Sequence, residues 1–336
     1  MDRRDFLLAT GSAVVASAAL GNPLTRAPAQ SLRASAACPL TLTVAGADNV
    51  SWDVGQAREL ARRIEQASGN SYAVSVADPV NVKAVGLKFL GASQLTEIDR
   101  AFAFATGLPG GAALGGGAVD IWLTTAGGQA ALDELAATHG LKVLIAAHGG
   151  ETFLWSAQPL QTAADFAGKY VLATGLGCHV AAGLGAEPWR IVPGTPRDLL
   201  ASGQVAAIEA NVPDAMAQGL FQAARFASTN AFAPHGHAGA LTVRLDMWNA
   251  MSPAERGAIS SAAQENYRES LTANRTCEAL NRQAIRQTYA IGVNHVPQGL
   301  AASIQTVARA VVAQVASDSP SAAKLNASYM SFMQAQ

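Results

Sequence analysis

The chain has 336 residues, of which 50% are hydrophobic, 14% charged and 6% aromatic, and its formal net charge is −1. So apolar a chain is no disordered tail, and it can bury a sizeable core. The balanced charge excludes the basic footprint of a nucleic-acid binder, and three cysteines exclude a disulfide scaffold. Length suggests about two domains, and abundant Ala and Gly with few aromatics favour helices packed closely on a sheet.

The first residues read as an address label. Arg3 and Arg4 precede Asp5, Phe6 and Leu7, and an apolar, small-residue run follows to Leu20. That run is short for a bilayer span, which needs about 20 residues. The pattern resembles a twin-arginine export signal occupying residues 1–36, with cleavage after Ala29 or after Ala36. Cys38 opens a second reading, lipid anchoring, although Ser35-Ala36-Ala37 lacks the usual leucine. No later segment reads as long and apolar enough to span a membrane. The mature chain is therefore expected outside the cytoplasm, where Cys178 and Cys277 are candidates to pair, on a geometry that sequence leaves open.

In chain order, Leu40–Ala45 alternates as a strand. Asp53–Ala67 has helical period, with Val54, Ala57, Leu60, Ala61 and Ile64 on one face and Ser68-Gly69-Asn70 as its stop. Tyr72–Val76 is a second strand, and this β-α-β opening argues for an α/β fold with parallel neighbours. The glycine-rich stretch 107–117 reads as a loop, not a phosphate cradle, because no Gly-Lys-Ser/Thr follows. Further segments follow: a helix 120–139, a strand 142–147, a turn at His148-Gly149-Gly150, a short helix 162–166 and a strand 170–173. Next come helix 180–184, strand 189–192, helix 195–202 and strand 206–209. Beyond Pro213 the pattern is helical to Phe226, and 240–245 is a strand. Ser252-Pro253-Ala254-Glu255 combines an N-cap, a proline at N1 and a capping-box glutamate, so a long helix should run to about Ala290. A brief strand 293–296 and two helices, 300–315 and 321–333, complete the chain.

Catalytic motifs are mostly absent: there is no His-Glu-x-x-His, Cys-x-x-Cys or Gly-x-Ser-x-Gly. Gly175-Leu176-Gly177 follows a strand and opens a helix, but a dinucleotide fingerprint would need a third glycine where Val180 stands; the turn still offers N–H groups to an anion. His235-Gly236-His237 is the one compact histidine pair. On an extended segment both rings would point the same way and reach one metal; the plainer reading is a polar loop. Glu151, just after the His148 turn, either faces a ligand or is solvated. The five tryptophans read as core.

Residues 165–213, DFAGKYVLATGLGCHVAAGLGAEPWRIVPGTPRDLLASGQVAAIEANVP, resemble the solute-binding proteins of TRAP transporters, the DctP-type periplasmic carriers named for C4-dicarboxylates. Leu184-Gly185-Ala186-Glu187-Pro188 fits that family's Leu-Gly-Ala-x-Pro. Trp122–Leu135 is similar to the branch for 2-oxo acids and lactate, as are the ends of Glu209–Pro213; Met247-Trp248 through Glu255 fits the start of the family's long helix. The match is strongest from 120 to 270 and weakest from 77 to 100, a region shorter than the branch norm in which Lys83–Leu90 looks like a remnant.

The resemblance implies a periplasmic-binding-protein-like α/β fold: two α/β domains joined by hinge segments and a long spanning helix, closing over a ligand in the cleft. Domain I would take residues 37–160 together with part of the C-terminal region, domain II 161–250, and 251–336 would supply the spanning helix and C-terminal helices. The family's ligand-binding arginine, the fork that pairs with a carboxylate, would fall at Leu172. The branch's cation-contacting Glu, Trp and Glu would read Glu209, Ala210 and His237, and cleft tyrosines would become Thr124 and Thr125. The implied ligand-binding set is Leu172, Glu209, Ala210, Asn211 and His237, with His148 and Glu151 nearby. No cofactor is required; a calcium or sodium ion would fall to Glu209 and His237. The implied function is a receptor, not an enzyme, that captures a small organic ligand and delivers it to the TRAP permease. Without the arginine, a neutral, amine-bearing or bulkier apolar ligand suits this cleft better than a simple monocarboxylate. A competing reading keeps an acid ligand, served by Lys169 or the Gly175–Gly177 amides. The alternatives in function are a periplasmic sensing subunit and a metal-dependent hydrolase using His235, His237 and Glu209. The helix 321–333 either packs on its own chain or exchanges within a homodimer.

Overall fold

A computed structural model describes residues 38–47, 51–82, 86–110, 113–187 and 194–336. The export-signal segment, Lys83 and the expected strand 189–192 lie outside them. Two five-stranded sheets organise the fold. The first has the order β2-β1-β3-β9-β4, from β1 (Cys38–Thr43), β2 (Tyr72–Ala77), β3 (Leu87–Leu90), β4 (Leu141–His148) and β9 (Ala238–Arg244). The second has the order β10-β8-β5-β7-β6, from β5 (Thr152–Ser156), β6 (Tyr170–Leu172), β7 (Val205–Asn211), β8 (Phe226–Ser228) and β10 (Gly292–Asn294). This is the two-lobed α/β architecture expected.

The opening β-α-β unit forms as its pattern predicts. Ser51 caps the Trp52–Ala67 helix, its hydroxyl accepting from the Val54 N–H. The buried face of that helix is Val54, Ala57, Leu60, Ala61 and Ile64, with Arg63 added; β1 and β2 pair in parallel. The weakly matched region 77–100 supplies β3, paired with β1 and β9, and the Ala92–Ile98 helix. Expected helix 120–139 is two helices, Gly116–Thr125 and Gly128–Thr138, broken where Gly127 takes φ 80°. β5 and β8 carry no signal in the sequence. All five β5 residues are buried, so no alternation marks it.

Sheet membership changes earlier in the chain than the limits 160 and 250 expected. β5 pairs with β7 and β8 in the second sheet, while β9 returns to the first between β3 and β4. Two crossing segments therefore run side by side. The Gly149 N–H donates to the His237 carbonyl at 2.7 Å, and Asn211 Nδ2 donates to the Gly149 carbonyl at 3.0 Å.

The Pro253–Gln287 helix spans both lobes, with the expected cap: Ser252 Oγ accepts from the Glu255 N–H and Glu255 from the Ser252 N–H. Ile259, Ala262 and Ala263 pack with the first sheet, and Ile285 packs with Phe153 and Trp155 of the second lobe. Gln298–Ala316 crosses back, with Leu300, Ile304 and Ala308 in the second lobe and Val312 and Val315 in the first. Among the described residues, this one helix is by length and composition apolar enough to cross a membrane, which corrects the sequence reading; its Leu300, Ile304, Ala308, Val312 and Val315 are buried against the protein. Pro320–Gln334 packs on its own chain, burying Leu325, Tyr329 and Phe332 with Trp122 and Phe104. Cys38, Cys178 and Cys277 form no disulfide.

Candidate functional site

The Ala92–Ile98 helix of the first lobe faces the end of β6 and the turn that follows it in the second. Between them lies a cavity of about 380 Å³, lined by Ser93, Thr96, Glu97 and Arg100 on one side and by Leu172, Gly175, Cys178 and His179 on the other. This volume suits a small organic molecule. Leu172 is half-buried in this wall. Arg100, the lining guanidinium, is held by Asp318 in a bidentate pair, Nε to Oδ2 at 3.0 Å and Nη2 to Oδ1 at 2.8 Å. Burial pushes the His179 imidazole below its usual range, which favours its neutral form.

Beneath the turn stand Glu209, from β7, and His237, from the segment leading into β9. The Glu209 side chain is 0% exposed and approaches His237 Nε2 at 3.7 Å through Oε2. Its Oε1 accepts from the Ala233 N–H at 2.7 Å. Glu209 Oε2 and both His237 ring nitrogens have no hydrogen-bond partner. Glycines make room for the pair. A Cβ on Gly177 would sit 2.7 Å from Glu209 Oε2, and one on Gly107 2.9 Å from His237 Nδ1.

Two further carboxyls meet here that the sequence reading did not single out. Asp214, at the start of the Val212–Ala217 helix, accepts from the Trp52 N–H of the opposite lobe. Burial first, and then the Asp214 charge, push the Asp53 carboxyl up to about 6. Asp214 is itself raised by burial, against the pull of the Trp52 and Asn211 bonds and of His237. In sequence each is only an acid in the first turn of a helix, sufficiently explained by the helix dipole.

The other residues of the sequence-derived set lie elsewhere. Ala210 is in the apolar core with Phe153 and Leu199; successive strand residues alternate faces, so Glu209 and Ala210 point oppositely. Asn211 caps the Val212–Ala217 helix through Oδ1 and straps Gly149 through Nδ2. His148 is buried on the side of the long helix, where its Nδ1 accepts from the Gly150 N–H at 3.0 Å; burial, then the Arg275 charge, push it down to about 4. Glu151 is paired to Arg282 of that helix. These two line a separate cavity of about 240 Å³ with His235 and Arg275. The two histidines of His235-Gly236-His237 thus part company, because Gly236 takes φ 82° and the segment is not extended. Thr124 lines a third cavity against the long helix rather than the cleft. Trp122, Trp155 and Trp248 are core, and Trp52 is half-buried. Among the described residues no group of three or more His, Cys, Asp or Glu is placed to hold a metal ion.

Two lobes joined by paired crossing strands and a spanning helix, with a ligand-sized cleft between them, define a cleft-closing binding protein. Residues 118–318 match the family of bacterial extracellular solute-binding proteins, family 7, the DctP family. The chain belongs to that family, and it is a solute receptor that works outside the cytoplasm. Solved structures of similar fold include a TRAP transporter solute-binding protein from Bordetella bronchiseptica with calcium and picolinate (18% identity, 90% of this chain and 93% of that one, TM-score 0.77). Another is a TRAP periplasmic solute-binding protein from Pseudoalteromonas atlantica with sodium and pyruvate (15%, 89% and 94%, 0.77). A third is an extracytoplasmic solute receptor of Bordetella pertussis that binds pyroglutamic acid (15%, 88% and 100%, 0.71). No curated protein matches the chain.

Proposed function

We propose that this receptor serves a TRAP-type transporter: it is exported by a twin-arginine-type signal, captures a small organic ligand by closing its two lobes, and presents it to the membrane permease subunits. The observation that carries the reading is the cavity between Thr96 and Leu172, bounded by elements of both lobes. Within the family, the nearest branch is the one for 2-oxo acids and lactate, and Leu172 stands where its arginine would. Loss of a charge-assisted pair of about 1.5–3 kcal/mol argues against a simple monocarboxylate held by a guanidinium. The wall offers Leu172 and Ala173 instead, with Thr96 and Ser93 as hydrogen-bonding groups. A calcium or sodium ion of the kind bound in the structurally similar proteins would have Glu209 and His237 as its available side chains.

Thermal-shift screening of the mature protein tests this. The library holds 2-oxo acids, hydroxy acids, amines, polyols and larger apolar acids, each with and without Ca²⁺, Na⁺ or Zn²⁺. A compound that binds only the native state raises the midpoint by mass action, and the expected outcome is a shift with no turnover of the compound. Shifts only with small monocarboxylates would mean that another group replaces the arginine.

A further inference from the structure

Three arginines, Arg268, Arg275 and Arg282, stand seven residues apart on the spanning helix Pro253–Gln287. Seven residues are close to two turns, so all three share one face. The outer two are each held by an acid from another element. Arg268 Nε donates to Asp120 Oδ2 at 2.9 Å, and Arg282 Nε donates to Glu151 Oε2 at 2.9 Å. Arg275, between them, has neither hydrogen bond nor ion pair among the described residues. Its guanidinium lies instead over Gly117 of the first lobe, where a Cβ would fall 2.8 Å from Nη2. Glu278, three residues on, also has neither; it only feels the Arg282 charge. Residues three apart on a helix are close enough to pair, yet these two stay apart. Both line the cavity of about 240 Å³ beside the crossing segments, which shares no residue with the cleft cavity. Asn274, in the same wall, donates from Nδ2 to the His148 carbonyl at 2.6 Å, which leaves its Oδ1 as an acceptor.

We propose that this cavity is a second ligand site, separate from the cleft, and that it takes a small zwitterion, with the carboxylate on the Arg275 fork and the ammonium on Glu278 and Asn274 Oδ1. A guanidinium matches a carboxylate with two parallel N–H donors, and ammonium N–H groups need oxygen acceptors. A ligand with one charge satisfies only half of this arrangement. A simple anion would leave Glu278 unpaired beside it, and a simple cation would leave Arg275 unpaired. The carboxylates of Glu151 and Glu278 match the guanidiniums of Arg275 and Arg282 in number, so these walls favour neither a net anion nor a net cation. His148 adds no charge, because burial keeps its imidazole neutral. The occupant would stand between the first lobe at Gly116, the crossing segments at His148 and His235, and the spanning helix. The site is independent of which solute the cleft takes.

Skeleton-matched probes test the site by titration calorimetry and thermal shift on the mature protein: L-alanine against propionate and ethylamine, and 4-aminobutyrate against butyrate and propylamine. Binding is expected for at least one zwitterion, and more weakly or not at all for its single-charge counterparts. Arg275 is exposed and Glu278 half-buried, so Arg275→Gln and Glu278→Gln should leave the unliganded protein folded. Each is expected to weaken zwitterion binding on the order of 10-fold, the lower end for a charge-assisted pair. Arg275→Lys, which keeps the charge but not the fork, should fall between Gln and the unaltered chain. Equal binding of a single-charge counterpart overturns the inference, as does the failure of both zwitterions to bind. Zwitterion binding that Leu172→Arg abolishes and Arg275→Gln leaves intact belongs to the cleft; it overturns the second site and leaves the receptor reading standing.

Discussion

Asp53 and His148 set opposite pH dependences on stability. The Asp53 carboxyl titrates near 6 in the folded chain, above its ordinary 3.8. Its ionised form is therefore the costly one, and its contribution is fully present below about 4 and lost as pH rises through about 6. Asp53→Asn is expected to raise the thermal midpoint at pH 7.5, to raise it less at pH 5, and to leave it nearly unchanged below about pH 4. The His148 imidazole titrates near 4, below its ordinary 6.5. Its contribution is present above 6.5 and lost as pH falls through 4. Replacing it with Gln should flatten the acid-side fall of the midpoint, measured between pH 6.5 and 4. Sequence makes Glu209 and His237 legible through resemblance, and the structure brings them within 3.7 Å. It does not make Asp53 and Asp214 legible, because their meeting depends on how the two lobes pack. Nor does it show that one glycine φ turns His235 and His237 apart.

At the scale of elements, local chemistry foretells much. The buried face of Trp52–Ala67 and the capping box that starts Pro253–Gln287 both form from residues the sequence marks. The tie between these helices is tertiary. Buried Arg63 reaches Glu59, Glu265 and Glu269 and donates from Nε to Asn266 Oδ1 at 3.2 Å. Its acidic partners are 39–61% exposed, so the ion pairs themselves are worth little. The larger loss in Arg63→Met is the Asn266 oxygen left buried without its donor, about 1–3 kcal/mol in chemical denaturation. Glycines give a comparison at fixed backbone sign. Gly127 and Gly236 both have positive φ, but a Cβ on Gly127 meets nothing within 4 Å, while one on Gly236 would fall 1.7 Å from the Gly150 carbonyl oxygen. Gly127→Ala should cost about 1–2 kcal/mol. Gly236→Ala should cost distinctly more, because the two crossing segments cannot part without breaking the bond from Gly149 to His237. Equal losses would remove the argument for a tightly paired hinge.

Across the whole molecule, the two sheets are tied by the paired crossing segments and by the helices Pro253–Gln287 and Gln298–Ala316, an arrangement able to close a cleft without dissolving either lobe. Two strands of the second sheet, β5 and β8, are its least legible part in the sequence. β5 is buried on both faces and β8 has three residues, so neither shows a period. The C-terminal helix covers Trp122 and Phe104 of the first lobe. Truncation after Asp318 should therefore expose that core face and lower the midpoint, rather than release an independent appendage. The central claim is ligand capture by lobe closure. Small-angle X-ray scattering, with and without the compound that gives the largest thermal shift, tests it most directly. The account predicts that saturation with the compound contracts the radius of gyration of the free protein. An unchanged radius at saturating, stoichiometric binding would contradict it.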